Sequence, residues 1–132
     1  MTLKPPLDAA DLIRSAAFRL LLTRVEPISP ATLAEFTGLA GERVAACLDQ
    51  LDHGGRIRRD TQGRVVGSAG LSVVPDRHEI ELAGKRLWTW CAYDILGIFG
   101  ALSASGRASS PSPSGGQPID VVYVRGLPQR DD

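Results

Sequence analysis

The hydrophobic pattern changes period near Gly67, and this change constrains the fold more than any other feature. Before it, apolar residues recur at helical spacing; after it, they alternate as in strands. Asp8 or Asp11 can cap a first helix, in which Leu12, Ala16, Phe18 or Arg19, Leu20 and Val25 form a stripe that stops at Pro27. Ser29 as N-cap and Pro30 at the first helical position start a second, with Leu33, Phe36 and Leu39 inward and Gly38 closing it. Residues 42–51 make a third, with Val44, Cys47, Leu48 and Leu51 inward and Gly54-Gly55 at its end. Residues 56–59, a turn over 60–63, and residues 64–66 then read as a β-hairpin.

This order predicts an α+β chain. Residues 1–66 form an N-terminal winged-helix-like trihelical unit that opens with a loose leader over 1–7. Residues 67–132 form a small β-sheet with a helix carrying the site. Leu71 and Val73 mark a short strand. His78–Leu82 alternates, with Ile80 and Leu82 to one side and Glu79 and Glu81 to the other. Residues 83–85 turn into a helix, residues 103–117 are rich in Ser, Gly and Pro and read as a flexible loop, and residues 118–124 make a last strand.

The helix after the turn carries the chemistry. Leu87, Trp90, Tyr93 or Asp94, and Leu96 recur at spacings of three and four, so residues 86–96 read as its first turns. Three residues apart, Cys91 and Asp94 share a face of such a helix, shielded by Trp88 and Trp90. A thiol beside a carboxyl group is either a packed structural cysteine with a surface aspartate or a reactive pair.

The stretch from Gly67 to Leu96 resembles the organomercurial (alkylmercury) lyase family. The matching residues are Gly67, Gly70, Leu71 and Ser72, then His78, then Leu87, Trp90, Cys91, Ala92 and Asp94 in the pattern Leu-x-x-Trp-Cys-Ala-x-Asp. The resemblance implies protonolytic cleavage of carbon–mercury bonds, giving a hydrocarbon and thiol-bound Hg(II). By that resemblance Cys91 is the thiolate that takes the mercury, and Asp94 shuttles its proton to carbon. Trp88, Trp90 and Tyr93 would line the organomercurial. No cofactor is implied. Family members are longer and place a second essential cysteine beyond residue 132, so a small external thiol is the implied co-reactant here.

Two other readings stay open from the residues: a non-catalytic relative that binds mercury or another thiophilic metal, and a winged-helix regulator that binds DNA through Arg56, Arg58, Arg59 and Arg64 on the hairpin. The third helix beside that hairpin is mixed to acidic, with Glu42, Asp49 and Asp52. Fifteen basic residues balance fifteen acidic ones, so no global field draws the chain to nucleic acid or to an anionic membrane. The chain has neither an 18-residue apolar run nor a leader with a basic start and apolar middle, which predicts a cytoplasmic protein with reduced thiols. Cys47 reads as a core thiol, and His78, with no second ligand at metal spacing, as a strand-end hydrogen-bonding group. Nothing in the residues sets an oligomeric state.

Overall fold

The computed structural model describes residues 8–112 and 115–129. The expected leader and residues 113–114 of the expected loop lie outside them. The chain divides into two compact units, Met1–Ala69 and Gly70–Asp132.

The first unit is helical and then hairpin. Helix α1 (Ala9–Arg24) starts at Asp8, whose side chain accepts the Asp11 N–H at 2.8 Å. It buries Ile13, Ala16, Ala17, Leu20 and Leu21, a stripe about one residue round from the one expected, and it stops at Val25 in the left-handed region. Helix α2 (Pro30–Thr37) is capped by Ser29 and closed by Gly38 at φ 75°, where a residue without Cβ is unstrained. Leu33 is its buried residue, whereas Phe36, expected inward, stands exposed, because a helix this short turns only a narrow face to its neighbours. Helix α3 (Gly41–His53) buries Val44, Cys47, Leu48 and Leu51 as expected.

Strands β1 (Ile57–Arg59) and β2 (Val65–Ser68) pair antiparallel, and the buried Ser68 hydroxyl donates to the Arg14 carbonyl, tying the hairpin to α1. Asp60 organises the turn. Its carboxylate accepts the Gln62 N–H, the Arg64 N–H and the Arg64 guanidinium within 2.9 Å. Burial pushes this carboxyl up, but the bonds from Arg64 and Gln62 outweigh it and hold the pKa below the ordinary carboxylate value. A lowered folded-state pKa means the contribution is present above the ordinary aspartate pKa, about 4, and is lost as pH falls through the lowered value. Thermal melts of the native chain and Asp60→Asn should therefore differ near neutrality and converge in acid; parallel curves across the pH range would contradict this.

The second unit is one helix on an antiparallel sheet. Its strands are β3 (Leu71–Ser72), β4 (His78–Leu82), β5 (Lys85–Thr89), β6 (Gly106–Ser110), β7 (Ile119–Val124) and β8 (Leu127–Pro128), in the order β3-β5-β4-β6-β7-β8. Helix α4 (Ala92–Leu102) follows β5. Ile95, Ile98 and Phe99 of α4 and Leu71, Ile80, Leu82, Leu87, Ala108 and Tyr123 of the strands are the unit's buried apolar residues. Phe99 stacks on Tyr123, ring centroids 4.2 Å apart and 6° from parallel. Burial raises the Tyr123 phenol above its ordinary pKa.

Three expectations fail in this unit. Lys85–Thr89 is a strand and not the start of a helix. Ala83 and Gly84 both have positive φ (52° and 75°), the backbone of a two-residue hairpin turn, which returns the chain along β4 with Leu82 opposite Lys85. Leu87 and Thr89 then fall inward and Arg86 and Trp88 outward, a period of two that a helical count of the aromatics had masked. Second, the loop expected over 103–117 contains β6, paired on one side with β4 and on the other with β7. Its small residues have little strand propensity of their own, and two flanking ladders override that. Third, β3 stops at Ser72, whose hydroxyl bonds the Val74 N–H and carbonyl at 3.0 Å and turns the chain before Val73 can extend the strand.

Candidate functional site

Cys91 and Asp94 meet at the junction of β5 and α4. The ladder between β3 and β5 pairs Leu71 with Thr89 and Ser72 with Trp88, and continues one step as the Trp90 N–H donates to the Gly70 carbonyl at 3.0 Å. The chain leaves the sheet at Cys91, still extended (φ −151°, ψ 170°), and α4 starts at the next residue. Cys91 is therefore the N-cap of α4, not a residue on its face, and Asp94 is the third residue of the first turn. The sequence spacing brought these two together by capping geometry, where the third residue reaches back to the cap.

The Asp94 carboxylate accepts the Cys91 N–H at 3.0 Å and the Cys91 thiol at 3.2 Å, both at Oδ2. A carboxylate in the first turn also satisfies an otherwise open N–H and lies at the positive end of the helix dipole. The Cys91 carbonyl accepts from two sides, the Asp94 N–H at 3.2 Å and the Thr89 hydroxyl at 3.0 Å. On its other flank Asp94 rests on Gly70. A Cβ placed on Gly70 would fall 2.5 and 2.9 Å from the two carboxylate oxygens, and Gly70 has φ +86°. Glycine is needed there both for the backbone conformation and for the room the carboxylate occupies.

The pair is open to solvent. Cys91 is exposed and Asp94 half-buried, so the shielding expected beneath two tryptophans is absent. The cause is the strand that replaced the expected helix: Trp88 projects to the sheet face opposite Thr89. Tyr93, in the first turn of α4, is 84% exposed. Sequence reading missed Thr89 and did not assign Gly70 a role. Gly70 could have been found from its place in the Gly-x-x-Gly-Leu-Ser run, but the Thr89 contact depends on β5 being a strand.

The other residues singled out lie elsewhere. Cys47 is buried on α3. His78 bonds the Ser110 hydroxyl through Nδ1 at 2.8 Å, a strand-to-strand contact between β4 and β6. Among the described residues no group of three or more His, Cys, Asp or Glu side chains is placed to hold a metal ion. On the hairpin, Arg59 is bound by Asp52 at 2.8 Å and by Asp49 at 3.0 Å, and its hydrogen bond to Asp52 raises its pKa further. Arg64 is bound by Asp60 at 2.8 Å. Two of the four arginines considered for phosphate contact thus already carry carboxylate partners. No described helix is long and apolar enough to cross a membrane.

The exposure contrast gives a direct measurement. Cys91 should be alkylated on the order of tenfold faster than Cys47, or more, in the folded chain, because a buried thiol is inert until the fold opens. Peptide mapping after limited labelling reads the ratio, and equal labelling would show that the β5–α4 junction is not open as described.

Comparison with known proteins follows the same segment. The family model for alkylmercury lyase matches residues 71–127, which contain both members of the pair. An alkylmercury lyase of Bacillus cereus is 40% identical over 106 residues, covering 77% of this chain and 46% of that protein. One from Pseudomonas putida is 32% identical over 119 residues, covering 90% of this chain and 53% of that protein. Over this segment the chain is similar to the alkylmercury lyases.

It spans about half the length of the curated lyases it matches. The crystal structure of the mercury-bound form of MerB2 superposes with a TM-score of 0.82 at 27% identity, over 96% of this chain and 61% of that one. The lyase match begins at Leu71, directly after the glycine on which Asp94 rests, so the α+β unit rather than the helical unit carries the family model.

Proposed function

We propose that this chain is an organomercurial lyase that cleaves carbon–mercury bonds with Cys91 and Asp94, a small external thiol completing the ligation of mercury. The observation that carries the reading is the exposed thiol held 3.2 Å from a carboxylate oxygen.

A soft, polarisable metal prefers thiolate over oxygen or nitrogen ligands. As the Cys91 sulfur bonds mercury and displaces its weaker ligand, the thiol proton passes to Asp94 along the existing Sγ–H to Oδ2 contact. A second thiolate, from the small thiol, adds electron density to mercury and makes the attached carbon more basic. The carbon–mercury bond then breaks with its electron pair remaining on carbon. Carbon takes the proton from Asp94, the hydrocarbon leaves, and Hg(II) stays with the two thiolates. No redox change occurs and no resident cofactor is required. Tyr93, Trp88 and Trp90 are the aromatic residues nearest in sequence to contact the organic group. A reducing cytoplasm would keep Cys91 reduced and supply the thiol.

The test is hydrocarbon release from a phenylmercury salt by the purified chain with excess small thiol. Benzene formed in proportion to turnovers supports the reading. A stable protein–mercury adduct with no benzene at any thiol concentration would leave only a mercury-binding relative.

A further inference from the structure

We infer that Thr89 is a positioning residue for the Cys91–Asp94 pair. Its side chain is fully buried, and its hydroxyl donates to the Cys91 carbonyl at 3.0 Å. That carbonyl also accepts the Asp94 N–H, so the two bonds converge on one oxygen and fix the peptide that joins the pair. Thr89 itself is held from two sides, opposite Leu71 on β3 and opposite His78 on β4. It is the last strand residue before the chain leaves the sheet, and its hydroxyl carries the rigidity of the ladder two residues on, to the point where the thiol is attached.

A threonine facing a sheet interior needs a partner for its hydroxyl, since an unpaired buried hydroxyl is costly. The Cys91 carbonyl is that partner: as the N-cap carbonyl it lies at the start of the helix, where its direction depends on how Cys91 is turned. Fixing that carbonyl fixes the Cys91 backbone and with it the direction in which Sγ leaves Cα. Without the hydroxyl, Cys91 can rotate away from Asp94 while the sheet and α4 remain folded. Thr89 touches neither reacting atom; it acts through the peptide.

The inference deepens the proposed reaction and rests on it only for its catalytic consequence, because its test uses iodoacetamide and no mercury. In the full chain, Asp94→Asn should raise the alkylation rate of Cys91 about fivefold, the size of one hydrogen bond, since Sγ is no longer tethered to a carboxylate and turns more freely to the reagent. The same change made in Thr89→Val should alter the rate less than about twofold, because the two side chains are no longer held together. Thr89→Ser, which keeps the hydroxyl, should restore the fivefold effect. A threonine that only stabilises the fold would lower the melting temperature and leave the Asp94 effect intact in Thr89→Val, and that result overturns the inference; so does loss of the effect in Thr89→Ser. Should Thr89→Val not fold, Thr89→Ala removes the same hydroxyl. In the native chain, a Thr89 hydroxyl proton exchanging too fast to be seen by NMR would also overturn it. Failure of hydrocarbon release would sink the lyase reading and leave these rates untouched.

Discussion

Replacing Asp94 by Asn is expected to leave adduct formation with a phenylmercury salt nearly intact and to cut hydrocarbon release by about 10²- to 10⁴-fold, the usual contribution of a positioned general acid. Cys91→Ser should abolish both, because a hydroxyl is a poor ligand for a soft metal. The two variants should separate because the proposed reaction gives the two side chains different roles. Sγ is exposed and reaches a small molecule directly, whereas the Asp94 carboxylate is bonded to the Cys91 N–H and Sγ. Asparagine keeps an oxygen that can accept the Cys91 N–H, so the cap and the helix start survive. What it lacks is a carboxyl group that can take the thiol proton and hand it to carbon. Adduct is measured by intact mass and release by headspace chromatography. Equal loss of adduct in both variants would show that Asp94 shapes the binding site and is not the proton donor.

The same separation predicts the thiol dependence. Mercury held by Cys91 alone leaves its carbon less basic than mercury held by two thiolates, so release should climb steeply with added thiol while adduct formation does not. Release at full rate with no thiol present would point to a second protein ligand. Cys47 is buried on α3, and its labelling would then have to rise on mercury binding.

How much of this was legible in the sequence depends on the range of the forces involved. Local signals read well. Asp8, Ser29 and Gly38 cap the helices where their side chains and backbone freedom demand it, and the Val44, Cys47, Leu48, Leu51 stripe is buried as its spacing requires. The alternation of His78–Leu82 likewise survives as β4. Elements defined by their partners did not read. Nothing in Gly106–Ser110 marks a strand until β4 and β7 are placed on either side. Residues 85–89 were misread because a helical count of Leu87, Trp90 and Tyr93 competes with a period-two count of Leu87 and Thr89. A turn of two residues at Ala83 and Gly84 decides between them.

The site shows the same division in one place. Cys91 and Asp94 were paired correctly through the wrong geometry, since a helix face and an N-cap both join residues three apart. The burial inferred from that geometry failed with it. What orients the pair, Gly70 on one flank and Thr89 on the other, comes from a turn distant in sequence and from a misassigned strand, so spacing along the chain did not reveal either contact.

Gly70→Ala is the second substitution from which a large effect is expected, and its cause can be isolated. Two costs act at this position. The backbone sits at φ +86°, which a residue with Cβ adopts only under strain, of order 1–3 kcal/mol. The new methyl would also fall within 2.5 and 2.9 Å of the Asp94 oxygens, so the carboxylate must move. Moving it breaks the bonds to the Cys91 N–H and thiol together, because both end on the same oxygen. Hydrocarbon release should therefore fall nearly as far as in Asp94→Asn, while Cys91, on the open side, still forms its mercury adduct. A double-mutant cycle on thermal or urea stability separates the two costs. With Asp94→Ala already in place no carboxylate opposes the methyl, so adding Gly70→Ala should cost only the backbone strain. The same substitution in the native chain should cost that strain plus the lost cap bonds, about 1 kcal/mol or more in addition. An identical cost in both backgrounds would mean that Asp94 shifts aside without penalty, and that Gly70 shapes the turn before β3 rather than the seat of the carboxylate.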